Sequence, residues 1–242
     1  MNMKKNGFTL IELIIAIVVA AIIMLGIYTS VNMAQRSSAS VGRKVVTQQD
    51  ARAVLDLMAM EIRMASYNPT GTEPNIIWST IPTAACNSMG NISPVAANRG
   101  IQTGPNAANT IIIAMDLNNP SVTPAQIGDW PNEYIEYSYN GADTINRNVS
   151  CGGDTPVLGG VSSATLVHNA AEGVNLFTYF DRSDKDITAT VVNNNPSTVN
   201  GVPAIRRIRI TIVADTESKD NLTYKTKTMT YITDVLVKNH AF

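Results

Sequence analysis

The sequence predicts an α+β protein: a long N-terminal α-helical spine packed on a C-terminal, mainly antiparallel β-sheet head. Three observations carry this expectation. An unbroken apolar run from Phe8 to Ile27 continues without a proline as far as Met64. Within that continuation an apolar stripe recurs at helical spacing. Beyond Pro69 the periodicity changes, and after an irregular stretch the chain reads as a series of strands.

Residues 1–7 are a short leader with Lys4 and Lys5. Residues 8–27 match the roughly 20 apolar residues that cross a bilayer, which makes them the transmembrane part of the helix. A secretory signal peptide has a shorter apolar core, about 7–15 residues, closed by a small-residue cleavage site. Here the small residues Ser37 to Ser40 lie well past the apolar run. With Lys4 and Lys5 ahead of the span, the positive-inside rule puts the N-terminus in the cytoplasm and everything from Tyr28 onward in the periplasm.

Residues 28–67 continue as an amphipathic helix. Ala51, Val54, Leu55, Met58, Ile62 and Ala65 form the stripe, while Gln48, Asp50, Arg52, Asp56, Glu61 and Arg63 fill the remaining arc. That pattern prepares one face for a packed domain. Ser66-Tyr67-Asn68-Pro69 is the expected stop, because the residue before proline resists the helical region. A helix from Phe8 to Met64 would span roughly 85 Å. Gly26 and Gly42 are its soft points, each costing about 1 kcal/mol against alanine.

Residues 68–242 are the head. Its first part, 69–108, is rich in Asn, Pro, Gly, Ala and Thr and reads as irregular, with room for one short strand. Strands are then expected at Thr110 to Met115, Tyr134 to Tyr139, Ala164 to Val167, Val174 to Phe180, Ile205 to Val213 and Tyr224 to Val237. In the fifth, Ile208, Ile210 and Ile212 share one face, with Arg207, Arg209 and Thr211 on the other. The last two make a hairpin through Asp215 to Asn221.

Composition excludes several functions. Lys and Arg total 18 against 19 Asp and Glu, with no basic patch, so no nucleic-acid partner is inferred. No nucleophile elbow, phosphate loop or zinc-protease motif is present, and the reading is non-enzymatic, without cofactor or metal. Asp181, Asp184 and Asp186 follow a strand, but their spacing does not fit a calcium loop and Lys185 sits among them, which favours a solvated turn. His168 and His240 lack ligand spacing and read as surface or strand-end residues. Trp78, Trp130 and several tyrosines serve equally as an adhesive surface or as buried core. Cys86 and Cys151, an even count in an exported domain, favour a disulfide over free thiols or intermolecular pairing. Closing that loop would stabilise by roughly 4 kcal/mol in the chain-entropy model.

Glu12 is the residue that demands an explanation. An acidic side chain at the centre of a membrane helix costs roughly 2.5–3.5 kcal/mol on insertion scales. It lies one helical turn beyond Phe8, about 6 Å along the axis, and neither end is expected to find a charge partner of good geometry within the chain.

The segment K-K-N-G-F-T-L-I-E-L resembles the N-terminus of type IV prepilins and type II secretion pseudopilins. The resemblance covers the first 20 or so residues. It implies that a prepilin peptidase cuts after Gly7 and N-methylates Phe8. It further implies that Glu12 pairs with the terminal amine of a neighbouring subunit. Inside a bundle of apolar helices such a pair sets register more than it adds net stability. The stretch Leu55 to Pro69 is similar to the helix end of PilW-type minor pilins, often a variant of D-I-R-M-A-G-Y-x-P, with Glu61 in place of Asp and Ser66 in place of Gly. Ala114 to Asn118, Glu133 to Tyr137, Val174 to Tyr179, Ala204 to Ile210 and the terminal Val237-Lys238-Asn239 resemble the same group. The acidic loop often found after its first strand is not kept, since Asn118-Asn119-Pro120 follows Leu117.

The resemblance implies a minor pilin, a filament subunit at the tip or in the initiation complex. Its partners would be the prepilin peptidase, major and other minor pilins, the pilus assembly platform, and inner-membrane lipid before assembly. The chain would end on the pilus at the cell surface. A J-like type II secretion pseudopilin and a tip-displayed adhesin or ligand-binding module are the alternatives.

Overall fold

A computed structural model of the chain describes residues 8–69, 77–81, 93–117, 127, 132–160, 163, 165–216 and 228–240. One helix, α1 (Leu10–Arg63), is followed by strands β1 (Ile101–Gln102), β2 (Thr110–Ala114), β3 (Tyr134–Tyr139), β4 (Thr144–Val149) and β5 (Asp154–Gly159). Strands β6 (Thr165–Val167), β7 (Phe177–Phe180), β8 (Arg207–Thr216) and β9 (Thr228–Leu236) complete the order. Every strand pairing is antiparallel. The α+β expectation therefore holds, with the spine and head in the anticipated chain order.

The head holds two sheets. The first runs β1-β2-β3-β4-β5; in the second, β9 lies on one side of β8 and β6 and β7 share the other. Helix α1 lies against β8 and β9 and touches β5 and β6. All six residues of the predicted stripe are buried. Fully burying a side chain such as Met58 or Ile62 is worth about 1.5–3 kcal/mol, so this stripe holds spine to head. Alternation in β2 and β3 splits the core. Ile111, Ile113, Ile135 and Tyr137 join the helix in one cluster, while Ile112, Ala114 and Tyr134 face Trp78, Ile77, Ile81 and Ile127 on the opposite side.

The helix ends slightly before the anticipated stop. Arg63 is its last residue, Met64 caps it, and the chain turns through Ser66, whose φ is +63°. A residue in the left-handed region closes a helix without help from proline, so Pro69 only reinforces a turn already made.

The β4–β5 hairpin was not anticipated. Strand β4 reads T-I-N-R-N-V, and β5 contains Pro156 and ends on Gly159. Polar residues, proline and glycine argue against a central strand, but β5 is a sheet edge, where proline costs no ladder bond. Strand β7 starts at Phe177 rather than Val174. Strand β8 starts at Arg207 because Val202–Ala204 form a 3-10 turn, and it continues to Thr216. The predicted β8–β9 hairpin pairs as expected, from Arg207↔Leu236 to Asp215↔Thr228. Residues 217–227 lie outside the described residues, as do 82–92.

Between β6 and β7 the edge of β8 would be left open, and Asn169 fills it. Its side chain donates to the Thr211 carbonyl (2.7 Å) and accepts from the Val213 amide (2.8 Å), in the manner of a missing strand residue. Asn169 is wholly buried. Asn169→Ala would strand a buried donor and a buried acceptor at about 1–3 kcal/mol each. We expect a loss of about 2–6 kcal/mol in chemical denaturation of the detergent-solubilised chain, and no smaller a loss for Asn169→Asp, which keeps the bond from Val213 but buries a carboxylate oxygen against the Thr211 carbonyl.

Candidate assembly site

The exposed end of α1 opens on a capping box. Thr9 adopts extended geometry (φ −82°, ψ 152°), and its hydroxyl accepts from the Glu12 amide (3.4 Å). The Glu12 carboxylate reaches back to accept from the Thr9 amide and the Thr9 hydroxyl, both at 2.9 Å. Glu12 thus has neutral hydrogen-bond donors within its own chain, although no charge partner among the described residues. The reason is local: the first amides of a helix have no intrahelical acceptor, and a T-x-x-E spacing supplies one. Thr9-Leu10-Ile11-Glu12 carried that signal in the sequence. The arrangement satisfies one carboxylate oxygen with neutral donors and leaves the negative charge uncompensated among the described residues.

From Leu13 to Ile27 the helix is apolar on all sides and its side chains stand exposed, as do those of Phe8 at 87% and Leu10 at 78%. Helix α1 is long and apolar enough to cross a membrane, and the most apolar window has no residue buried within the chain. Burial within the helix begins at Thr47.

Two polar joints hold this spine to the head. In the first, Arg147 on β4 clasps Glu61 through Nε (3.1 Å) and a terminal nitrogen (2.6 Å), and the Tyr137 hydroxyl of β3 donates to the same carboxylate. The hydrogen bond to Glu61 raises the Arg147 guanidinium above its ordinary value, and burial with its own hydrogen bond to Glu61 raises the Tyr137 phenol. In the second joint, the Ser66 amide donates to the Ala114 carbonyl (2.9 Å), and its hydroxyl accepts from the Gly100 amide (3.0 Å). A Cβ on Gly100 would lie 2.3 Å from the Ser66 nitrogen and 2.1 Å from the Ala114 oxygen, so only glycine permits this approach. His240 closes the joint, with Nδ1 2.9 Å from the Ser66 hydroxyl and Nε2 2.9 Å from the Val202 carbonyl. A carbonyl only accepts, so Nε2 carries the proton and Nδ1 receives the serine hydroxyl.

The family model for the prokaryotic N-terminal methylation motif matches residues 2–28. This is a type IV pilin-like chain. No curated protein and no solved structure matches it. The motif implies processing by a prepilin peptidase and assembly with other pilin-type subunits, and with the apolar helix it fits a single membrane span. It points to a structural subunit rather than an enzyme.

In this pilin-like chain Gly7 and Cys86 lie outside the described residues, as does Trp130. Phe8 and Glu12 share the exposed end of α1. Cys151 is half-buried against the Trp78 cluster, and no described cysteine is free. Trp78, Tyr134, Tyr137, Tyr139 and Tyr179 are buried and belong to the core. The three aspartates do not converge. Asp181 accepts from the Ser183 and Lys185 amides, Asp186 accepts from the Thr188 amide, and Asp184 pairs with Arg207. His168 sits half-exposed just after β6, 3.6 Å from Asp215. His240, expected at the surface or at a strand end, lies just past the end of β9 and is fully buried. Both its ring nitrogens are satisfied, which removes the penalty that keeps most histidines exposed. Sequence reasoning had no signal for this joint, because Ser66 and His240 are 174 positions apart.

Two outcomes follow from the joints. Arg147→Met, which leaves Glu61 poorly paired in a largely buried place, should cost roughly 2–4 kcal/mol in denaturant unfolding. Burial, aided by the charges of Arg206 and Arg99 and opposed by the Val202 hydrogen bond, pushes the His240 imidazole down to about 4 from 6.5. The neutral form is the folded form, so the unfolded chain binds more protons between those two values. Stability should fall as pH drops from about 6.5 to about 4, by up to about 3 kcal/mol. Unfolding midpoints of wild type and His240→Asn across that window check this, the variant showing the flatter profile.

Proposed function

We propose that the chain is a minor pilin, a structural and assembly subunit of a type IV pilus. The observation that carries this is Gly7-Phe8 and Glu12 together at the head of an apolar spine whose far half is locked into a folded head. In this reading the prepilin peptidase removes residues 1–7 and methylates Phe8, leaving a terminal ammonium at the membrane face. The helix waits in the inner membrane with the head in the periplasm. The assembly platform then brings it beside other pilins.

The capping box prepares Glu12 for its role. Thr9 fixes the carboxylate at the helix start and helps offset its desolvation cost. A neighbour's ammonium then meets a charge that is already oriented, and pairing supplies the missing counter-ion. The Glu61 and Ser66 joints keep a pull on the spine from separating it from the head. The Cys86–Cys151 disulfide belongs to the same proposal, supported by the absence of a free thiol at Cys151. The PilW-type resemblance and a tip or initiation position rest on the helix-end and strand motifs. A J-like type II secretion pseudopilin shares the N-terminus and is the second reading.

Intact-mass and N-terminal peptide spectrometry of membrane and sheared-filament fractions test the proposal. Wild type should begin at N-methyl-Phe8 in both. Gly7→Glu should retain the leader. Glu12→Ala should be cleaved normally yet drop at least tenfold in the filament fraction. A wild-type chain still starting at Met1, or equal incorporation of Glu12→Ala, would overturn it.

A further inference from the structure

We infer that the outer edge of β9 receives a strand from a neighbouring subunit of different sequence, so that this chain joins its assembly through one open edge and does not polymerise with itself. The inference rests on the filament reading above and adds the surface and the partner.

The Val237 amide donates to the Arg206 carbonyl, one pair beyond Arg207↔Leu236. Bonded and non-bonded pairs alternate along an antiparallel ladder. Odd-numbered residues of β9 therefore turn their amides and carbonyls toward β8, and even-numbered ones turn them away. Those are Thr228, Thr230, Ile232, Asp234 and Leu236, and all five are exposed. Among the described residues none of their outward backbone groups has a partner.

Proteins normally blunt such an edge with short strands, proline, lysine or bulges. The other edges of this head are blunted. Strand β1 has two residues, and β5 carries Pro156 and a register shift opposite Ile145 and Asn146. The far side of β7 is occupied by the amide of Ile187 and the hydroxyl of Thr188. Strand β9 has nine residues in unbroken register, with no proline, glycine or lysine.

The direction of β9 selects the partner. Its start lies opposite Asp215, beside Thr165, whose hydroxyl holds Asp50; its end leads to Asn239, which donates to the Arg63 carbonyl. The strand thus climbs along the spine. A second copy with its spine parallel in the same membrane would present β9 running the same way, unsuited to an antiparallel ladder, and its remaining edges are blunted. The occupant is a descending strand from another pilin-type subunit. Asp234 is already bridged by Arg207 (3.0 Å) and Arg209 (2.9 Å), so the edge is near neutral. Ile232 and Leu236, 59% and 57% exposed, call for apolar or β-branched residues at alternate positions of the incoming strand.

Ile232→Pro removes an outward amide without touching the β8 ladder, and Ile232→Glu with Leu236→Glu opposes the strand by charge. Both should keep the wild-type thermal midpoint and membrane processing while falling at least tenfold in sheared filaments. Incorporation at the wild-type level by either folded variant would overturn the inference. A benzoylphenylalanine cross-linker at position 232 of the full chain in cells should trap the head of a different subunit bearing a prepilin N-terminus. A cross-link to a second copy, or none, would also overturn it. Absence of wild type itself from filaments would instead sink the filament reading, with the cross-linked product still deciding the edge.

Discussion

Burial of one stripe of α1, from Ala51 to Ala65, against β8, β9, β5 and β6 couples two bodies that live in different solvents. The helix has 54 residues and spans roughly 80 Å. Before Thr47 none of its described side chains is fully buried in this chain, and beyond it one face is sealed into the head. A helix is the only open-ended element that can do both, since its backbone bonds are satisfied internally in lipid and in protein alike. The head needs no second domain or hinge to be carried. It is built onto the rod.

Because the apolar stripe resists sliding only weakly, the polar joints define how the rod sits. Glu61 is gripped by Arg147 and Tyr137 from two strands of one sheet, and Ser66 gathers the helix end, Gly100, Ala114 and the C-terminal His240. Ser66 illustrates the exchange involved. Glycine adopts positive φ freely at such a position; serine is strained there. What serine adds is a hydroxyl that both donates to His240 and accepts from Gly100. The strain is offset by a junction that ties the last residues of the chain to the end of the spine.

Charge follows the same division. Along the span the only ionisable side chain is Glu12, held by its own N-cap. In the head the arginines are consumed in specific pairs: Arg207 lies over the Phe180 ring at 3.8 Å while reaching Asp184 and Asp234, and Arg209 grips Asp234. The result is a surface of low net field, suited to packing against other subunits and poor at attracting a polyanion.

The sequence by itself determined the helix, its membrane-length start, the stripe that faces the head, and the outlying positions of most strands. These depend on periodicity, which neighbouring residues set locally. It also carried the proposed cleavage and assembly residues, because Gly7, Phe8 and Glu12 are near neighbours in the sequence. The tertiary structure decided what depends on distant partners. Strands β4 and β5 form despite Pro156 and a run of polar residues, because a sheet edge tolerates both. Asn169 acts as a piece of strand only because β6 and β7 leave a gap beside β8. His240 is buried only because Ser66 and Val202, remote in sequence, present a donor and an acceptor, respectively, at hydrogen-bonding distance. Local spacing records a residue's face; it does not record which group, far along the chain, will arrive to satisfy it.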